Sequence, residues 1–152
     1  MHDKPQGWRG FTMIELMVVV AIVAISAALI SLSLRDGTQN QLDEEAARLA
    51  YLFEGARAES RASGVAVRWE PVPADDKVPA QFRFVGLIQK SLTQTRWLTS
   101  GTSAEVMGAS AVLLGPEPLI PAQRVVLQLD DRRAVLATDG LGPFLLVNEA
   151  PR

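Results

Sequence analysis

Glu15 is the residue whose position in the sequence most directly indicates a functional role. It is the only ionisable residue in the apolar run MIELMVVVAIVAISAALISLSL, which occupies residues 13–34. Burying a carboxylate in a membrane helix costs on the order of 2.5 to 3.5 kcal/mol on insertion scales. A partner that offsets this cost is therefore expected.

A terminal amine at Phe11 would be such a partner. Phe11 lies one helical turn before Glu15, so an amine at Phe11 of a neighbouring helix could meet the carboxylate and offset part of its desolvation. That amine exists only if the peptide bond between Gly10 and Phe11 is cut.

The residue types left for catalysis are few. The chain has no cysteine and a single histidine, His2. Without them, cysteine and histidine nucleophilic sites, a histidine base and histidine-ligated zinc are excluded once the first residues are removed. Any enzyme activity would have to rely on carboxylates or lysine, and we predict no enzyme activity, no catalytic residue, no metal and no cofactor.

The element that carries Glu15 is long enough to cross a bilayer. Residues 13–34 would make roughly 33 Å of helix, at about 1.5 Å per residue, and a hydrocarbon core is about 30 Å thick. Lys4 and Arg9 precede this run, which favours a cytoplasmic N-terminus and an external C-terminal domain.

The pattern Gly10-Phe11-Thr12-x-x-Glu15, followed by the apolar run, resembles the class III signal of type IV pilins and type II secretion pseudopilins. The resemblance implies cleavage between Gly10 and Phe11 by prepilin peptidase, N-methylation of Phe11, and a role for Glu15 in subunit register within a filament. It also implies a leader over residues 1–10 and a transmembrane helix over residues 11–34 in the inner membrane.

Two other interpretations of this segment account for less of it. An ordinary secretory signal would have an apolar core of 7 to 15 residues, and this run is longer and contains a carboxylate. A plain single-pass anchor would place Glu15 at the interface. Neither explains Gly10 and Phe11.

A second helical pattern follows over residues 35–63. Apolar residues recur every three or four positions and predict one buried stripe, formed by Leu42, Ala46, Leu49, Phe53 and Ala56. Pairs Glu44–Arg48 and Glu54–Arg57 are predicted on the outer face, and Gly64 is placed to end the helix. The sequence leaves open whether the helix breaks near Gly37.

Residues 64–152 show strand-like alternation and turn signals. The pattern predicts strands around Val65–Trp69, Phe82–Phe84 and several later positions, with loops at residues 71–79 and 116–121. Closely spaced strands without intervening helices favour antiparallel pairing. The pattern predicts the α+β class. The resemblance to pilins further implies a pilin-like fold, with one long N-terminal helix packed on an antiparallel β-sheet domain in the periplasm.

The pattern Thr138-Asp139-Gly140-x-x-Pro143-Phe144 is similar to the general secretion pathway protein H group, to which FimT/FimU-type minor pilins are related. Asp130, Asp131 and Asp139 could be calcium ligands, but turn chemistry is the simpler explanation for acids in hairpin turns. Aromatic residues in the strands are assigned to the core rather than to base stacking: Trp69, Phe82, Phe84, Trp97 and Phe144.

These observations predict a minor pseudopilin of the type II secretion pseudopilus, which takes part in protein export across the outer membrane. Implied partners are the other pseudopilins (the major G-type and the minor I-, J- and K-types) and the inner-membrane assembly platform. A minor type IV pilin, in pilus assembly or DNA uptake, is the alternative. A membrane-anchored binding or enzymatic domain is a third. With 15 Lys or Arg against 17 Asp or Glu, nucleic acid is not expected as a partner.

Overall fold

A computed structural model describes residues 12–88 and 96–147, and for residues 27–36 it describes the backbone alone. The chain divides into two compact units, Met1–Asp36 and Gly37–Arg152. The predicted cleavage and methylation sites at Gly10 and Phe11 lie outside the described residues.

One helix, α1, spans Met13–Ser63. It begins after Thr12, whose hydroxyl accepts a hydrogen bond from the backbone N–H of Glu15 at 3.3 Å. It continues through Gly37, where the sequence left a break open. Gly64 follows its end as predicted, with φ of 70° and an N–H that donates to the Ser60 carbonyl at 2.9 Å.

Among the described residues, seven strands follow the helix and form two antiparallel sheets. The first sheet has the order β2-β1-β4 and the second the order β3-β5-β6-β7. The strand bounds are β1 Arg68–Val72, β2 Gln81–Val85, β3 Ser103–Val106, β4 Val112–Leu113, β5 Gln123–Leu129, β6 Arg132–Thr138 and β7 Leu145–Val147.

The predicted fold class is confirmed, because an N-terminal helix packs on antiparallel sheets. The division of the strands between two sheets was not indicated by the sequence. The strand predicted to start at Val65 begins at Arg68, and it continues through Pro71, where a loop was predicted. Proline is tolerated there because β4 pairs only with Arg68 and Trp69, so no ladder bond on that side needs a Pro71 N–H.

The core lies in the second unit and joins the helix to both sheets. All five residues of the predicted helical stripe are buried. Phe53 stands at the centre, with its ring centroid 5.2 Å from that of Trp69 and 4.8 Å from that of Phe144, both edge-on. The aromatic residues assigned to the core by sequence are buried there or pack against it as partly buried side chains.

Candidate functional site

Glu15 lies in the first turn of α1, at the third helical position after Thr12. Thr12-x-x-Glu15 is therefore the sequence pattern of a capping box, of which the structure shows the bond from the Glu15 N–H to the Thr12 hydroxyl. A carboxylate in the first turn also interacts favourably with the helix dipole. The sequence interpretation missed this local role, although the spacing of threonine and glutamate carries its signal.

The helix around Glu15 exposes apolar side chains on all sides. Between residues 13 and 26 every large apolar side chain is at least 46% exposed. A helix that is apolar all round is stable only when lipid or other protein covers it. In the residues that the structure describes, no helix combines the length and the apolar character needed to cross a membrane.

Arg57 ties the helix to the turn that carries the Thr-Asp-Gly pattern. Its guanidinium is buried, with 3% of the side chain exposed, and donates to the Gly142 carbonyl at 2.8 Å and to Glu54 at 3.3 Å. The predicted pair Glu54–Arg57 is thus present, but Arg57 lies in the interior and not on the outer face.

Within this turn, the side chain of Thr138 forms hydrogen bonds with backbone N–H and carbonyl groups. The Thr138 hydroxyl donates to the Gly142 carbonyl at 2.9 Å and accepts from the Gly140 N–H at 3.0 Å. Gly140 has φ of 94°, and a Cβ there would run into the Ile120 carbonyl. Phe144 then enters the core. The pattern therefore builds a tight turn and an aromatic anchor.

Asp139 and Asp75 each hold a turn through backbone hydrogen bonds. Asp139 Oδ1 accepts from Gly142 at 2.8 Å and from Leu141 at 2.9 Å, and these bonds, in that order, hold the pKa of Asp139 below its ordinary value of 3.8. The N–H groups of Lys77 and Val78 lower the pKa of Asp75 in the same way. In the described part of the chain, no group of three or more acidic, His or Cys side chains could hold a metal ion.

Glu45 is a second buried charged residue of the helix, and the sequence interpretation missed it. Its carboxylate accepts the backbone N–H groups of Leu98 and Thr99 and pairs with Arg48 at 3.1 Å. Arg48 also donates to the Arg96 carbonyl at 3.2 Å and lies over the Phe82 ring. The predicted partner of Arg48 was Glu44; the structure shows Glu45, which lies on the buried side of the helix.

A comparison with protein-family models finds one motif, a prokaryotic N-terminal methylation motif over residues 9–31. No curated protein matches the chain, and no solved structure does. The motif supports a type IV pilin-like or pseudopilin chain. It implies processing by prepilin peptidase and pilin-like partners, and it suggests a membrane-anchored N-terminus.

Proposed function

We propose that the chain is a minor pseudopilin similar to general secretion pathway protein H, a non-enzymatic structural subunit of the type II secretion pseudopilus. The observation that carries the proposal is the methylation motif over residues 9–31. It coincides with the Gly10-Phe11 bond, the carboxylate of Glu15 and the apolar run.

The physical chemistry of the helix supports this role. Residues 13–26 present apolar side chains in every direction, so the helix needs lipid before assembly and neighbouring helices after it. In our proposal, cleavage after Gly10 creates the Phe11 amine, which is methylated and keeps its positive charge. The amine of one subunit meets Glu15 of another and sets their register.

The segment of residues 11–34 spans the inner membrane in this proposal, and the unit Gly37–Arg152 lies in the periplasm. There it contacts the major G-type and the minor I-, J- and K-type pseudopilins, and the chain is assembled by the inner-membrane platform. The Thr138-Asp139-Gly140 turn supports the assignment by its similarity to the protein H group.

A minor type IV pilin, in pilus assembly or DNA uptake, remains a second candidate because the methylation motif is common to pilins and pseudopilins. Gene neighbourhood separates the two. Secretion-pathway genes beside this one would favour the pseudopilin, and pilus or competence genes the pilin.

Mass spectrometry of the mature chain tests the shared part of the proposal. We expect an N-terminus at Phe11 carrying a methyl group. An intact Met1, or a start near residue 34, would show that this segment is not a prepilin signal.

Replacing Glu15 tests its role in assembly. Glu15→Val should leave membrane insertion intact and reduce incorporation into filaments at least tenfold. Ser26→Val is the matched control, because the Ser26 hydroxyl donates only to the Ile22 carbonyl of its own helix in the described structure, at 2.8 Å. Normal secretion by Glu15→Val would rule out the register role.

A further inference from the structure

The dipeptide Asp139-Gly140 is chemically reactive by its composition. In an Asp-Gly sequence the backbone nitrogen of glycine can attack Cγ of the aspartate, because glycine has no Cβ to obstruct the approach. The new C–N bond closes a succinimide ring, and the carboxyl hydroxyl leaves as water with the proton of the nitrogen. Attack of water on the α-carbonyl of the ring then gives isoaspartate, whose main chain is one methylene longer.

The nitrogen that would attack is held in place. The Gly140 N–H donates to the Thr138 hydroxyl at 3.0 Å, and the Gly140 carbonyl accepts the N–H of Ile120 at 3.4 Å. Gly140 is buried, and it lies so close to Ile120 that a Cβ would overlap the Ile120 carbonyl. Ring closure removes the proton of this N–H, so the bond to Thr138 has to break first.

The carboxyl group that would be attacked is held as well. Oδ1 of Asp139 accepts from the N–H of Gly142 at 2.8 Å and from that of Leu141 at 2.9 Å. Movement of Cγ to within bonding distance of the Gly140 nitrogen would draw Oδ1 away from both groups. The same two bonds hold the pKa of Asp139 below its ordinary value, and an ionised carboxylate has no hydroxyl group to lose.

Thr138 connects these contacts to the rest of the domain. Its hydroxyl accepts from Gly140 and donates to the Gly142 carbonyl at 2.9 Å, and Thr138 is buried. The Gly142 carbonyl also accepts from Arg57 of α1 at 2.8 Å. The Thr138 hydroxyl therefore links the attacking nitrogen to the carbonyl that α1 holds. Thr138 can also be replaced without changing either reacting group.

We propose that Asp139-Gly140 is a latent site of isoaspartate formation, and that the Thr138 hydroxyl suppresses the reaction in the folded chain. Ring closure starts only when the turn opens and the Gly140 N–H leaves Thr138. The product cannot rebuild the turn, because the added methylene displaces it from Ile120 and from Arg57. The amount of isoaspartate at position 139 therefore measures how often the turn has opened.

Prolonged incubation of the purified full chain in neutral buffer tests the proposal. In water enriched in oxygen-18, each passage through the succinimide places one oxygen-18 atom on residue 139, because solvent water reopens the ring. Mass spectrometry of proteolytic peptides measures this uptake, and resistance to Asp-N protease, which does not cleave at isoaspartate, measures the product. We expect Thr138→Val to form isoaspartate at position 139 at least five times faster than the parent chain.

Thr102→Val is the matched control variant. Thr102 is buried, with 1% exposed, and within the described residues its hydroxyl makes no hydrogen bond. The substitution thus removes a buried hydroxyl outside the turn, and it should leave the rate at Asp139 unchanged. Thr138→Ser keeps a hydroxyl at the turn and should restore a rate close to that of the parent chain.

A second Asp-Gly dipeptide, Asp36-Gly37, is an internal reference in every sample. Gly37 lies within α1, where backbone N–H groups are bound by carbonyls four residues earlier. Loss of the Thr138 hydroxyl should therefore raise the rate at Asp139 and not at Asp36. Acceleration at both dipeptides would overturn the proposal, since general unfolding would then be the cause.

One further measurement needs no variant. The parent chain unfolded in guanidinium chloride should form isoaspartate at position 139 at least five times faster than the folded parent chain. Equal rates in these two states, or equal rates in Thr138→Val and Thr102→Val, would overturn the proposal. The pseudopilin assignment is tested separately, because an N-terminus at Phe11 could be found whatever the rate at Asp139.

Discussion

At the scale of single residues, two charged side chains in the interior fix how the helix lies on the sheets. Arg57 binds the carbonyl of Gly142, and Glu45 binds the N–H groups of Leu98 and Thr99. Each charge meets backbone dipoles of the opposite sign, which offsets the cost of taking it out of water. The sequence could not identify either contact, because the partners are backbone atoms of turns that lie far along the chain.

Arg57→Met should destabilise the second unit by about 1.5–3 kcal/mol, the usual contribution of a hydrogen bond to a charged group. The methionine keeps most of the apolar stem but removes the charged donor to the Gly142 carbonyl, which keeps only its bond from the Thr138 hydroxyl. Urea unfolding of the detergent-solubilised chain, followed by tryptophan emission, to which the buried Trp69 contributes, measures the change.

Arg61→Met is the control for this substitution. Arg61 is exposed one turn further along the same helix, so its replacement should change the free energy of unfolding by less than about 0.5 kcal/mol. Equal effects of the two variants would show that the contact between Arg57 and the turn does not contribute.

Asp139 makes stability depend on pH in the acid range. Because its pKa is lowered in the folded chain, its contribution is complete above the ordinary value of 3.8 and is lost as the pH falls below 3.8 through the lower, folded value. The stability difference between the parent chain and Asp139→Asn should therefore be larger at about pH 6 than at about pH 3. Unfolding curves at the two pH values measure it, and a difference that grows in acid would contradict the assignment.

At the scale of elements, the periodicity of apolar residues correctly predicted the features that the local sequence determines. The helical stripe, the end of the helix at Gly64 and the antiparallel pairing all follow from spacing and turn residues. Strand β1 was predicted less well. Pro71 can remain in it because the neighbouring strand β4 is short and pairs only with Arg68 and Trp69, and the local sequence does not show this. The assignment of strands to two sheets depends on long-range packing, which no local pattern records.

Replacing Gly140 or Gly37 by alanine should change the stability of the folded chain in opposite directions. Gly140→Ala should cost at least about 1–3 kcal/mol, because alanine is strained at φ of 94° and its Cβ would press on the Ile120 carbonyl. Gly37→Ala should stabilise α1 by about 1 kcal/mol, since Gly37 is helical and a Cβ at this position would have open space around it. Thermal unfolding followed by circular dichroism separates the two, and equal signs would contradict the backbone assignment.

At the scale of the whole molecule, the chain separates into a part that carries the processing motif and a part that carries the core. The motif covers residues 9–31, and the core cluster extends from Leu42 to Phe144. The candidate site at Gly10, Phe11 and Glu15 stays a prediction, which a short local pattern within or beside this motif made possible.

The unit Gly37–Arg152 should fold without the residues that precede it, because it contains the whole core cluster. Expressed alone, it should be monodisperse and should unfold cooperatively in urea. A fragment that binds hydrophobic dyes and unfolds without a cooperative transition would show that the first unit is needed for folding.

The amide of Gln123 has a consequence for motion within the domain. It forms hydrogen bonds with both the N–H and the carbonyl of Leu113, as the backbone of a neighbouring strand would. Gln123 is the first residue of β5, which belongs to the other sheet. The N–H of Leu113 should therefore exchange with deuterium slowly for a residue on so short a strand. Opening of β4 should require these two hydrogen bonds between the sheets to break first. Local opening of the two sheets should therefore be coupled.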